Sequence, residues 1–199
     1  MTVIFEKKRF KVSKNNMYQQ YFSFNYKKLK FDPTKYGEVP LIVGIDPDVD
    51  KNGVAIVDGN TGKLIDLLNL CEMNYLEFLS VYHKQINKVV FSAGWLNKKT
   101  NFHRVKEQTR SVSERQAKDV GLNHQVGITL MRLTYAMYGL PIQQLKPDSA
   151  KVKTRAKFEI YTGWKGLSNQ ETRDAGMLIS GMYAKENLKG RDMRLEQEV

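Results

Sequence analysis

This chain of 199 residues has one cysteine, Cys71. That excludes an internal disulfide framework and a zinc site built on clustered cysteines. A reducing, cytoplasmic setting is the default expectation. Histidine is almost as scarce: His83, His103 and His124 have no mutual ligand spacing and read as surface or packing residues. No apolar run approaches the ~20 residues of a membrane span. The opening Met-Thr-Val-Ile-Phe-Glu-Lys-Lys-Arg has neither the h-region nor the cleavage site of a signal peptide. Lipidation motifs and a basic amphipathic helix, which would favour a membrane surface, are also missing. The glycines at 44, 53, 59 and 62 do not form a Gly-x-Gly-x-x-Gly or Walker loop, and there is no nucleophile elbow. The sequence shows no internal repeat and no low-complexity segment.

Acidic residues are in deficit. There are 21 Asp and Glu against 32 Lys and Arg, a formal charge of +11 and a pI near 9.6. An excess of this size favours a polyanionic partner, and with the membrane option unsupported that partner is nucleic acid. The excess is clustered in segments rather than spread evenly, which argues against a merely solvated surface.

The length suits one α/β domain with extensions. Residues 1–40 form a basic, aromatic N-terminal extension, with nine Lys or Arg, three acids and nine aromatics. Thr2 to Val12 alternates like a strand. Tyr21, Phe22, Phe24 and Tyr26 are followed closely by Lys27, Lys28 and Lys30, a mixture suited either to unpaired bases and phosphate or, the preferred reading, to covering the domain. The domain itself is expected over 41–184, with 185–199 a charged tail. Strands are expected at 41–45, 54–57, 63–70, 88–91 and 142–145. A helix is expected from Asn74, its N-cap, to Ile86. A second has Leu122, Val126, Leu130, Leu133 and Met137 as its inner face and ends at Gly139-Leu-Pro. A third starts at Ser149 or Thr154 and runs to Tyr161, and a last spans Asn169 to Tyr183. Three strands in meander followed by alternating helices and strands imply an α/β or α+β domain around a mixed central sheet flanked by helices.

Chemistry is concentrated in three acids. The run Leu41-Ile-Val-Gly-Ile-Asp46 is apolar until its last residue, and Pro47 and Gly53 turn it into a second apolar run. A carboxylate at the end of a buried strand is costly without a partner, and a metal ion is the usual one. The plainer alternative is an Asx-Pro turn in which Asp46 only caps amides. Glu171 and Asp174, three apart, fall on one helical face, with Ala175 and Gly176 following to allow close approach to a sheet. Hard oxygen ligands of this kind suit magnesium or manganese rather than zinc. Two such ions can activate water and stabilise a leaving oxygen in phosphodiester cleavage. The alternative for Glu171 and Asp174 is a favourable charge at a helix N-terminus.

At these residues the chain resembles the RuvC-type Holliday junction resolvases. Val43-Gly-Ile-Asp-Pro with Gly53-Val-Ala-Ile-Val is similar to their first two strands, and Glu171, Asp174 and Ala175 to their final helix. The apolar helix from Leu122, the strand Ile142 to Leu145 and the segment Pro147 to Lys153 fall in the same order. The resemblance covers residues 41–184. It implies a ribonuclease H-like fold and a homodimer that cuts four-way DNA junctions with Mg2+ or Mn2+. Asp46, Glu171 and Asp174 would then be metal ligands, and Lys151 or Lys153 would lie near the scissile phosphate.

One departure matters. The family carries a glutamate at the end of its fourth strand, where Lys88-Val-Val-Phe-Ser92 has serine. Serine cannot bridge two metals with charge. The chain is then an engineered inactive form, a natural member that has lost cutting, or one in which another acid such as Asp48 substitutes. The segment after Ser92, with Trp95, Lys98, Lys99, Phe102, His103, Arg104 and Lys106, reads either as a DNA grip that holds phosphates or wedges a base, or as a solvated loop with Trp95 packed beneath. The expected function is a structure-selective endonuclease. The alternative is a branched-DNA-binding protein of the same fold that does not cut. An actin-like or sugar-kinase ATPase fragment is disfavoured by length and by the lack of a second phosphate loop.

Overall fold

Two runs without polar alternation, Leu41–Asp46 (β1) and Asn52–Asp58 (β2), pair antiparallel from Leu41↔Asp58 to Asp46↔Gly53. The computed structural model describes residues 27–97, 110–147 and 154–182. Lys63–Leu70 (β3) follows a tight turn in which the Asp58 carboxylate accepts the Asn60 amide at 2.8 Å and Gly62 takes a φ of 69°. It pairs antiparallel with β2. Helix Glu72–Tyr82 (α1) carries the chain to Ile86–Ser92 (β4), parallel to β1, and helix Arg110–Tyr138 (α2) carries it to Ile142–Leu145 (β5), parallel to β4. Helices Arg155–Thr162 (α3) and Gln170–Ile179 (α4) complete the order. The sheet runs β3-β2-β1-β4-β5. This is the mixed central sheet flanked by helices that the sequence predicts.

β1, β2 and β4 are apolar on both sides because both faces of the sheet are covered. Side chains alternate, so Leu41, Val43, Ile45, Val54, Ile56, Val89 and Phe91 share a core with Tyr75, Phe78 and Leu79 of α1 and Leu130 of α2. Ile42, Ala55, Val57 and Val90 point the other way, against Phe158 of α3 and Ala175 and Ile179 of α4.

Three sequence expectations change. Asn74 is not an N-cap: α1 begins two residues earlier, behind Cys71, which offers no side-chain cap. The buried Asn74 amide instead clamps an extended segment, accepting from Leu29 N–H at 2.9 Å and donating to Lys27 C=O at 3.1 Å. The inner face of α2 is rotated from the expected one. Leu130 is fully buried, but Leu122 and Met137 are exposed, while Gly127 and Thr134 are buried. Thr134 is buried because it is satisfied: its Oγ1 lies 2.9 Å from the Tyr75 hydroxyl and donates to Leu130 C=O at 2.7 Å. An apolar-only period does not see such a pair. α4 stops at Ile179 rather than Tyr183, followed by Gly181 at a φ of 80°.

Residues 27–40, read as part of the N-terminal extension, lie along α1. Phe31 meets Phe78 and Tyr82 edge-on at 5.7 and 6.3 Å. Tyr36 donates to Asp66 at 2.6 Å, beside the Lys35–Asp66 ion pair at 2.5 Å. The Thr2 to Val12 strand, the aromatics Tyr21, Phe22, Phe24 and Tyr26, and the 185–199 tail lie outside the described residues.

Candidate functional site

Asp46 is the last residue of β1 and is half-buried. It continues the side of the strand that Ile42 and Gly44 present to α4. In the parallel β1–β4 ladder Ile45 is paired with Phe91, so the next residues, Asp46 and Ser92, end neighbouring strands. Ser92 follows Val90 on the same α4-facing side and is buried, with Leu145 of β5 as its other neighbour.

α4 reaches this edge because of its cap and two strand glycines. Asn169 accepts the Thr172 amide at 3.0 Å, and Thr172 Oγ1 accepts the Asn169 amide at 3.0 Å, a reciprocal capping box. A Cβ on Gly44 would lie 2.7 Å from the Ala175 carbonyl oxygen. A Cβ on Gly53 would lie 2.8 Å from the Thr172 nitrogen and would overlap the Glu171 carbonyl group. Gly53 is the cross-strand partner of Asp46. The backbone at Glu171 is thereby docked beside the strand pair that carries Asp46. Asp174, one turn on, accepts from Gln170 Nε2 at 2.8 Å.

These acids are hard oxygen donors of the kind magnesium and manganese take. Among the described residues, however, no three His, Cys, Asp or Glu side chains gather closely enough to hold a metal ion. The buried Ser92 hydroxyl at the neighbouring strand end adds no charge beside Asp46. The residues present do not fit a two-ion cage.

Asp48 is held toward α2. Its two oxygens accept the Asp50 amide at 2.9 Å and Asn123 Nδ2 at 3.1 Å, while Asn123 Oδ1 accepts the Val49 amide at 2.9 Å. Asn123 therefore pins the turn after Asp46 to α2. Trp95, in the short 3-10 turn after β4, is half-buried beneath the same helix. Its Nε1 donates to Gln144 Oε1 at 2.8 Å, and a Cβ on Gly127 would lie 2.5 Å from its ring and 2.8 Å from Pro47. His124 stands edge-on to Trp95 at 6.2 Å, and burial lowers its pKa below the ordinary 6.5. Lys98, Lys99, Phe102, His103, Arg104, Lys106, Lys151 and Lys153 lie outside the described residues.

Gly53, read from the sequence as a turn residue, lies inside β2, and three more residues important to this geometry, Gly44, Asn123 and Gly127, were not singled out from the sequence. Gly44 and Gly53 carried a readable signal, since glycine inside a strand marks close approach of other backbone. Asn123 and Gly127 carried none, because their partners are more than 30 residues away.

No protein-family model matches this chain, and no curated protein matches it. Among solved structures it is similar to Thermus thermophilus RuvC in complex with a Holliday junction substrate, at 16% identity and a TM-score of 0.45, over 71% of this chain and 91% of that one. It is also similar to a second Thermus thermophilus RuvC structure, at 14% identity and a TM-score of 0.42, over 71% of this chain and 92% of that one.

Proposed function

We propose that this chain is a structure-selective DNA endonuclease of the RuvC type, acting as a homodimer on four-way or otherwise branched junctions. The observation that carries this reading is the docking of the Glu171 backbone on Gly53, opposite Asp46. It draws the acid-bearing start of α4 to the strand end that carries the third acid. The excess of 32 basic over 21 acidic residues supplies the attraction to phosphate on which DNA binding depends. In this reading Asp46, Glu171 and Asp174 are the carboxylates meant for Mg2+ or Mn2+, Lys151 or Lys153 attends the phosphate, and the 95–106 segment grips the duplex.

Among the described residues, those present do not make a two-ion cage. With serine at position 92, this chain is expected to cut junctions poorly or not at all. That favours a second reading, a junction-binding protein that does not cut, and Ser92 is the residue that favours it. The two readings separate in a cleavage assay on four-way junctions at several magnesium and manganese concentrations. The first expects Ser92→Glu to restore or raise cutting. Junction binding without cutting by both forms supports the second.

A further inference from the structure

We propose that the C-terminal end of α3 and the 163–168 loop form a second DNA-contact surface, an apolar platform that receives the faces of bases unstacked at a branch point. The proposal rests on the DNA-binding reading above and adds a site to it. Three large apolar side chains stand in solvent within eight residues: Ile160 is 80% exposed, Tyr161 67% and Leu167 87%. α3 has already met its packing need on another side. Phe158 is fully buried, its ring filling the space that Gly176 leaves open. At 100° per residue Ile160 lies about 200° around the helix from Phe158. An isoleucine there gains no burial and has a lower helix propensity than the straight-chain alternatives, so the fold does not call for it.

The platform is fixed in place. Thr154 caps the start of α3, accepting the Lys157 amide, and Gly163 ends it at a φ of 71°. Trp164 Nε1 donates to Leu167 C=O at 3.2 Å, and the Trp164 amide donates to Thr162 Oγ1 at 3.2 Å. The indole lies so close over Gly166 that a Cβ there would be 2.7 Å from it. Arg155 closes the loop by donating to Lys165 C=O at 3.3 Å. A surface ordered in advance loses little entropy when it binds.

Its charge identifies the partner. Arg155, Lys157 and Lys165 share this stretch with one acid, Glu159, which is already neutralised by Arg155 at 2.7 Å and Lys165 at 3.9 Å. Lys157 lies one turn before Ile160 and Tyr161 on the same strip. Apolar and aromatic side chains within a cationic rim complement exposed bases on a phosphate backbone. Leu167 is two residues before the Asn169 cap of α4 and four before Glu171, so bases held here would lie next to the start of α4.

The test uses the full chain, the double variant Ile160→Ser with Leu167→Ser, and Tyr161→Ala. All three positions are solvent-exposed, and equal melting temperatures confirm equal folding. The probe is a four-way junction carrying 2-aminopurine at the branch point, with a linear duplex of the same length as reference. The unmodified protein is expected to change the branch-point fluorescence. Each variant is expected to lose most of that change and to bind the junction about tenfold more weakly, with duplex affinity held within about twofold. Variants that bind the junction and perturb the probe like the unmodified protein overturn the proposal. So do variants that bind DNA normally but lose self-association in sedimentation, which would make the surface a contact between copies. If the unmodified protein itself shows no preference for the junction, the DNA-junction reading fails, and that failure is visible before any variant is examined.

Discussion

The backbone of Glu171 rests against Gly53, with no room for a methyl group between the first turn of α4 and β2. Gly53 in turn sits directly across the ladder from Asp46. One glycine thus sets how near the acid-bearing helix comes to the acid-bearing strand. Gly53→Ala should push α4 outward and cost about 1–3 kcal/mol through overpacking, lowering the melting temperature by about 2–4 °C per kcal/mol. Gly121→Ala is the control, since a Cβ there meets nothing within 4 Å and an exposed helical glycine replaced by alanine stabilises by up to ~1 kcal/mol. Calorimetry of the two variants should show shifts of opposite sign.

Ser92→Glu should change the response to metal more than the stability in its absence. A second carboxylate beside Asp46 is unfavourable without a cation, so the variant should melt lower than the parent in a chelator. Millimolar manganese should then raise its melting temperature, because a ligand bound at about 100 times its Kd stabilises by about 2.7 kcal/mol. The parent should shift far less. Equal metal-induced shifts in the two proteins would remove position 92 from the site.

Asn123 anchors the turn after Asp46 through Val49 N–H and Asp48 Oδ2. Asn123→Ala should release it. Val49 is exposed, so water can replace the lost bond and the stability cost should be only about 0.5–1.5 kcal/mol. The sharper readout is hydrogen exchange: the Val49 amide should lose protection while amides in the middle of β1 keep theirs.

Alkaline pH should weaken the fold through its tyrosines. Burial raises the pKa of Tyr36, Tyr75 and Tyr82 above the ordinary 10.0, and the hydrogen bond to Asp66 adds to the effect at Tyr36. Below pH 10 each is neutral in both states, and its contribution is fully present. As pH rises past 10 the unfolded chain ionises while the folded one resists, so stability falls. Melting curves between pH 8 and 11 should show this decline. Tyr75→Phe should flatten it at small cost, because Thr134 keeps its bond to Leu130 C=O.

The sheet was legible in the sequence because its strands are short, apolar and separated by turn residues. β3 matches its expected span from Lys63 to Leu70, and Asn169 caps the last helix as its residue type suggests. Helix details were less legible wherever a polar residue serves the interior. Asn74 looks like a cap but clamps residues 27–29, and Thr134 looks like a surface residue but is buried against Tyr75. At the candidate site the identities and order of Asp46, Ser92, Glu171 and Asp174 could be read in advance. Which backbone Gly44 and Gly53 approach could not, because it lies in α4, more than 100 residues further along the chain. The engagement of Asp48 with Asn123 depends on a contact 75 residues apart, which no local pattern encodes.

Junction-selective, phosphate-driven DNA binding is the claim that everything functional here depends on, and competition binding across a salt series tests it most directly. A labelled four-way junction is titrated with protein against unlabelled junction or linear duplex of equal length, from about 50 to 200 mM salt. The account predicts that duplex competes markedly less well than junction at every salt concentration. It also predicts that affinity falls by at least about tenfold across the series, as released counterions require. Equal competition by junction and duplex, or an affinity that does not change with salt, would contradict it.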